Sequence, residues 1–337
     1  MGIRVMILLT LPILAISCQQ QVEIEETAPA PLPDATRGPA IPQDKGYLVE
    51  EIQDGLYWVT EGVYQSIFLT TGEGVIVVDA PPSIGENLLK AIAEVTDEPV
   101  THVVYSHSHA DHIGAASIFL PDATFIAQEE TAAQLTTMND PDRIYSFGVF
   151  VGGSEVPLPD VTFADSYTLE VGNQTLDLEY WGVNHEPGNI FIYAPQQRVL
   201  MLVDVIFPGW VPFKNLALAE DTVGYLEAHD QVLSFDFETF VGGHWNRLGT
   251  REDVEVQQEY LDEIQANAAQ ALQTVDFFAV AQETGFENLS LLFDRYLDAV
   301  TQECADATTP KWIDRLGGAD IWTFDHCHQV IQSLRID

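Results

Sequence analysis

Between His107 and His112 the chain places three histidines and an aspartate in six positions, within YSHSHADHIGAA at residues 105–116. The 337-residue sequence holds 9 histidines, so a third of them sit there. Crowded imidazoles repel one another once protonated, and an exposed turn gains nothing from them. Imidazole nitrogens and a carboxylate are instead the donors that a borderline divalent ion such as zinc takes. In an extended stretch His107, His109 and Asp111 point to one side, while His112 turns toward a second centre. Four donors cannot close one site without distortion, but two adjacent ions can share them if distant loops add the rest. The candidates are His185 in GVNHEPGNIFIY, Asp204 at the end of RVLMLVD and His244 in VGGHWNR. Each lies at or just beyond an apolar run, where α/β proteins commonly build sites.

Those runs must position the donors. GVIVVDA (74–80), THVVYSH (101–107), TFIAQE (124–129), NIFIYAP (189–195), RVLMLVD (198–204) and TFVGGH (239–244) read as strands by length and β-branched content. Between the first two, Leu88, Leu89, Ile92 and Val95 recur at helical spacing. Strands and helices that mingle in this way predict α/β layers. After Trp245 the pattern turns helical. Thr250 with Asp253 approximates a capping box, and Tyr260, Ile264, Ala268 and Leu272 share one face. The division expected is a main domain over 46–250 and a helical C-terminal extension over 251–337, packed on the main body.

His107-x-His109-x-Asp111-His112, followed by His185, Asp204 and His244, resembles the metallo-β-lactamase superfamily. VVDAPP, with Asp79, looks like its first motif, and the resemblance covers residues 47–250. It implies an αββα sandwich, two sheets face to face with helices outside and metal at one edge. It also implies two Zn²⁺ per chain. His107, His109 and His185 would hold the first and Asp111, His112 and His244 the second, with Asp204 bridging. Asp79 would orient the ligand loop by hydrogen bonds rather than touch metal. Asp111 and Asp204 are then the residues expected to act in catalysis. The implied reaction is hydrolysis of a small molecule at a carbonyl-centred bond (ester, thioester, lactone or lactam) by a metal-bridging hydroxide. A bridging Asp is typical of the family's glyoxalase II and lactonase members, whereas its zinc β-lactamases usually carry Cys or Ser there. Three other readings stay open: a zinc β-lactamase, a mononuclear iron persulfide dioxygenase, and a non-catalytic zinc-binding lipoprotein.

Other conspicuous residues read as packing: His102, His229, and the two histidines of DHCHQ (325–329). FPGWVPFKN (207–215) and Trp245 fit either core packing or the wall of an apolar pocket.

The N-terminus carries Arg4, an apolar stretch from Val5 to Ile16, and then Ser17-Cys18. A signal peptide over 1–17 is expected, and its end resembles a bacterial lipobox. That resemblance implies lipidation of Cys18 and an anchor on the periplasmic side of the outer membrane. Residues 18–45, rich in Pro, Ala, Gln and acids, read as a flexible tether. Cys304 and Cys327 remain as a possible disulfide in an oxidising compartment. Oligomeric state is not legible.

With 13 basic and 52 acidic residues the net charge is −39, which repels phosphate backbones and speaks against nucleic acid as a partner. The surface is either that of an ordinary acidic exported protein or one adapted to salt, which screens such repulsion. Salt adaptation predicts loss of circular-dichroism signal as salt is removed; a signal unchanged at low salt fits the ordinary acidic surface.

Overall fold

Two sheets stand face to face in the computed structural model, which describes residues 29–336 apart from 141, 143–147, 149, 150 and 154. The expected leader and Cys18 lie outside the described residues. The first sheet runs β1 (Leu48–Gln53), β2 (Leu56–Thr60), β3 (Gln65–Thr70), β4 (Val75–Val78), β5 (Val100–Val104), β6 (Thr124–Gln128) and β7 (Val161–Phe163), in that spatial order. Pairing is antiparallel from β1 to β4 and parallel from β4 to β7. Helices α1 (Asn87–Val95), α2 (Ala110–Ile113) and α3 (Glu129–Met138) interrupt this part of the chain.

The second sheet comprises β8 (Ser166–Val171), β9 (Gln174–Glu179), β10 (Phe191–Ala194), β11 (Val199–Met201) and β12 (Thr239–Val241), ordered β12-β11-β10-β9-β8. Between β11 and β12, which are parallel, lie the short turn α4 (Lys214–Leu218) and helix α5 (Thr222–Ser234). The chain then continues through α6 (Arg251–Thr274), α7 (Phe277–Thr284), α8 (Leu289–Trp312) and α9 (Ala319–Ile336). Among the described residues no helix is long and apolar enough to cross a membrane.

The apolar alternation of the strands divides the core into three bodies. Trp58, Ile67, Ile76, Val104, Leu178, Ile192 and Met201 fill the space between the sheets. Phe68, Val77 and Val103 face outward against Leu88, Ile92 and Leu135 of α1 and α3. On the far side, Phe191, Leu200 and Phe240 meet Tyr225 of α5, Ile264 of α6, Val300 of α8 and Val330 of α9. The layers are therefore α, β, β, α.

The helices after residue 250 pack on the main body, where they share one buried body with the second sheet. One expectation changes. The tether expected over 18–45 is, from residue 29, laid along the body rather than free. Ala30 N donates to Asp320 Oδ2 at 2.7 Å, Asn246 Nδ2 donates to Pro39 O at 2.8 Å, and Thr36 is buried. Proline stiffens this stretch, and hydrogen bonds between its backbone and side chains of the body fix it without an apolar period.

Cys304 of α8 and Cys327 of α9 form a disulfide across a 23-residue separation, both sulfurs buried. A loop of that length predicts about 3 kcal/mol of stabilisation through the unfolded chain. Chemical denaturation of the double variant Cys304→Ala/Cys327→Ala should show a loss of that size, with the helical content retained.

Candidate metal centre

The site sits where β4, β5, β11 and β12 all end. Asp79 and Asp204, at the ends of the first and third of these, both have left-handed backbones (φ 62° and 64°), a conformation Asp tolerates better than most residues. Asp79 N donates to Val104 O, and Asp204 N to Gly242 O, so each turn is pinned to the neighbouring strand end. After β5 the chain does not continue extended, as the sequence reading assumed. It bends at 106–108 and enters the single turn of α2, which swings His112 inward.

Two of the imidazoles, His107 and His109, are aimed by protein partners. Ser106 N and Oγ donate to the Asp79 carboxylate at 2.8 and 2.7 Å, and Ser106 Oγ lies 2.9 Å from His107 Nδ1. The serine proton being given to Asp79, His107 Nδ1–H donates to Ser106 and leaves Nε2 bare toward the site. His109 is turned the other way. Its Nε2 is 3.1 Å from Glu186 Oε2, and its Nδ1 is 2.9 Å from His185 Nε2. Glu186 also accepts from Ser108 N, fastening the two ligand loops together. Asn189 Nδ2 donates to Asn184 Oδ1 and to Val203 O, both at 2.9 Å. Gln65 Nε2 lies within reach of the carbonyls of His244, Trp245 and Arg247, holding the loop that carries His244. Gly243 is needed beneath that loop: φ is 87°, and a Cβ there would come within 2.6 Å of Val203 Cγ1.

The donors gather in two groups. His107, His109, His185 and Asp204 form one, Asp111, His112 and His244 the other, with ligand atoms within 4.8 Å of one another in each. Asp204 joins them. Its Oδ2 lies 3.5, 3.2 and 3.4 Å from the Nε2 atoms of His107, His112 and His185, and its Oδ1 lies 2.9 Å from His244 Nε2. All seven residues singled out in the sequence are thus brought together. Asp79 touches none of the imidazoles through a hydrogen bond of its own and acts through Ser106.

The family model described as the Metallo-beta-lactamase superfamily matches residues 59–244. The chain belongs to this superfamily. Within it, the protein is 26 % identical over 246 residues to the 2,4-dinitroanisole O-demethylase subunit alpha of a Nocardioides strain, covering 71 % of each chain. It is 24 % identical over 224 residues to a linear primary-alkylsulfatase of a Pseudomonas strain, covering 54 % of this chain and 42 % of that one. The fold matches a metallo-beta-lactamase from Pontibacter korlensis with a TM-score of 0.53 and 21 % identity, over 63 % of this chain and 97 % of the other.

The donor set fits metal on its own chemistry. His107 Nε2 is buried without a hydrogen-bond partner, and five imidazoles with two carboxylates are the oxygen and nitrogen ligands that divalent ions of this class take. Electrostatics agree. Burial raises the Asp204 carboxyl, but His112 and His244 hold it well below the usual carboxylate range. Burial disfavours charge on His112, yet Asp204 and Asp111 beside it raise its pKa to about 10. At His185 burial wins and the pKa falls to about 3. Glu186, despite burial, is drawn down to about 2 by the hydrogen bond from His109 and the neighbouring histidines.

A cavity of about 430 Å³ opens over the donors. Tyr64, Phe207, Phe213, Lys214, Ala217 and Leu218 wall it, and Tyr64 OH donates to Asp111 Oδ2 at 3.2 Å. FPGWVPFKN serves both readings given above: Phe207 and Phe213 wall the cavity, whereas Val211 is core. Trp245 stacks between Trp210 and Phe213 behind the wall. Asn215 to Leu218 all have positive φ, a left-handed turn without glycine, at a cost of about 1–2 kcal/mol per residue. His102, whose Nδ1 lies 2.9 Å from Thr101 Oγ1, is outside the site, as are buried His229 and His326.

Tyr64, Ser106, Asn184, Glu186 and Asn189 belong to the site but motif spacing did not reveal them. Ser106, Asn184 and Glu186 adjoin ligands in sequence, which is the one signal that points to them.

A pH test follows from His112. A histidine with raised pKa contributes stability that is fully present below its unfolded value, near 6.5, and lost as pH rises through about 10. Metal-stripped protein should therefore melt at progressively lower temperature from pH 7 to 10. Metal-loaded protein, in which a proton on His112 is displaced, should change less over that range. Parallel melting curves for the two forms would contradict this.

Proposed function

We propose that the protein is a dinuclear zinc hydrolase that cleaves a carbonyl-centred bond (ester, lactone or lactam) in a compact, largely apolar small molecule. The observation that carries it is the Asp204 carboxylate set between both donor groups, Oδ2 lying within 3.5 Å of His107 and His185 of one and of His112 of the other, and Oδ1 2.9 Å from His244. Bound ions of this class supply Lewis acidity, lowering the pKa of water toward neutrality and polarising the bond under attack. The chain supplies the rest. Phe207, Phe213, Ala217 and Leu218 exclude water and hold the apolar part of the substrate. Tyr64 brings a phenol O–H to the cavity beside Asp111, held in its protonated form by burial and by the Asp111 carboxylate. Lys214 brings a positive charge to the rim of an otherwise strongly acidic protein. Asp204 in place of Cys or Ser favours esters and lactones over efficient lactam turnover.

A second reading rests on the 26 % identical O-demethylase subunit and the alkylsulfatase, whose names denote cleavage at oxygen rather than at a carbonyl. It places an aryl ether or an alkyl sulfate in the same cavity. In either reading we propose an exported protein, anchored through a lipid on Cys18.

Initial rates of zinc-loaded protein, beside an Asp204→Ala control, should decide among these. The expected result is turnover of aryl esters or lactones at kcat/KM above about 10⁴ M⁻¹s⁻¹, the range of working enzymes, and loss of at least about a hundredfold in the control. A lactam at that rate would make this a β-lactamase, and 2,4-dinitroanisole or dodecyl sulfate at that rate would establish the second reading. Silence on every substrate, with iron bound in the isolated protein, would overturn the hydrolase reading in favour of a dioxygenase. Silence with zinc bound would leave a binding protein.

A further inference from the structure

Helix α9 touches the cavity wall from behind at successive positions of one face. Trp322 packs 6.3 Å from the ring of Phe213, His326 Nε2 lies 2.9 Å from Phe213 O, and Gln329 Nε2 donates to Thr222 Oγ1 at 3.0 Å. Beside His326, Asp325 Oδ2 is 3.8 Å from Lys214 Nζ. These contacts bracket the left-handed turn over 215–218, at both its entrance and its exit.

His326 is the polar centre of this arrangement. It is fully buried, 113 residues from Phe213 in sequence, and both ring nitrogens are satisfied. Tyr260 OH lies 2.8 Å from Nδ1, which leaves Nε2–H to donate to the Phe213 carbonyl. That carbonyl also accepts from Ala217 N at 2.9 Å, the hydrogen bond that closes the turn. A leucine would fill such a space without the desolvation cost of an imidazole, so packing alone does not account for the histidine. A run of four non-glycine residues in the left-handed region does not persist by itself and must be held by what surrounds it.

We infer that His326 is a positioning residue for substrate selection: through the Phe213 carbonyl it holds the left-handed turn, and so fixes the apolar wall made by Phe213, Ala217 and Leu218. The substrate group read by this wall is an alkyl chain or ring, not the bond that reacts. The assignment rests on the hydrolase reading for its kinetic half only. With the hold released, the turn relaxes, the wall moves and long apolar groups lose their seat, while small substrates that never reach it do not.

The test uses the full chain, metal-loaded, as wild type, His326→Leu, His326→Gln and Tyr260→Phe. Trypsin cleavage after Lys214, followed by mass spectrometry, reports opening of the turn without any turnover. His326→Leu should speed that cleavage by about tenfold or more and leave cleavage at other sites unchanged, because only the turn has lost its hold. It should raise KM for 4-nitrophenyl octanoate by about tenfold, with kcat and the kinetics on phenyl acetate within about twofold. His326→Gln, which keeps an N–H donor in reach of the carbonyl, should return both readouts toward wild type. Tyr260→Phe keeps the core volume and should shift both in the same direction by less; it decides the matter if His326→Leu does not fold. Wild-type rates of Lys214 cleavage in His326→Leu and Tyr260→Phe would overturn the inference. So would equal losses on both esters with cleavage raised at every site, which would make the residue merely structural. If neither ester is turned over, the hydrolase reading fails and the trypsin result still stands for or against the hold on the turn.

Discussion

One buried carboxylate organises this protein. Asp204 lies within 3.5 Å of the Nε2 atoms of four histidines that come from three separate loops. A charge removed from water so completely is tolerable only where opposite charge or hydrogen bonds surround it. The strand ends, the left-handed backbones of Asp79 and Asp204 and the inward swing of α2 all serve that requirement. Ser106 behind His107 and Glu186 beside His109 orient those two rings through protein atoms alone.

Why the ligands were legible in the sequence and the pocket was not has a physical basis. Metal coordination accepts few residue types, so His107, His109, Asp111 and His112 stand out by identity and spacing alone. The neighbouring strand β4 is buried on both faces and reads as a continuous apolar run, all four of its residues being buried. The hairpins of β1 to β3 and of β8 with β9 were less visible. In β9 buried and half-buried residues alternate, a one-sided pattern that a run-based reading passes over. The extended geometry assumed for the histidine motif failed because a helical turn of four residues gives too little periodicity to detect.

The cavity wall was beyond sequence reasoning for a different reason. Nothing in KNLAL signals a left-handed turn; without glycine, its conformation is imposed by residues more than a hundred positions away. The C-terminal helices, expected as an extension packed on the main body, complete the outer layer over the second sheet. They also stand directly behind the pocket. Variation in α9 can therefore alter what the pocket accepts while leaving every ligand to the metal centre in place.

The docked segment from residue 29 bears on distance. A tether free from Cys18 to residue 45 would let the body wander up to about 95 Å from its anchor, at roughly 3.5 Å per residue. With Ala30 fastened to Asp320, the chain between Cys18 and the body reaches no more than about 40 Å. Under the proposed lipid anchor on Cys18, the body would stay close to the bilayer, and the pocket would meet the solvent layer next to it. The position of one hydrogen bond, from Ala30 to Asp320, would then set the volume that the pocket samples.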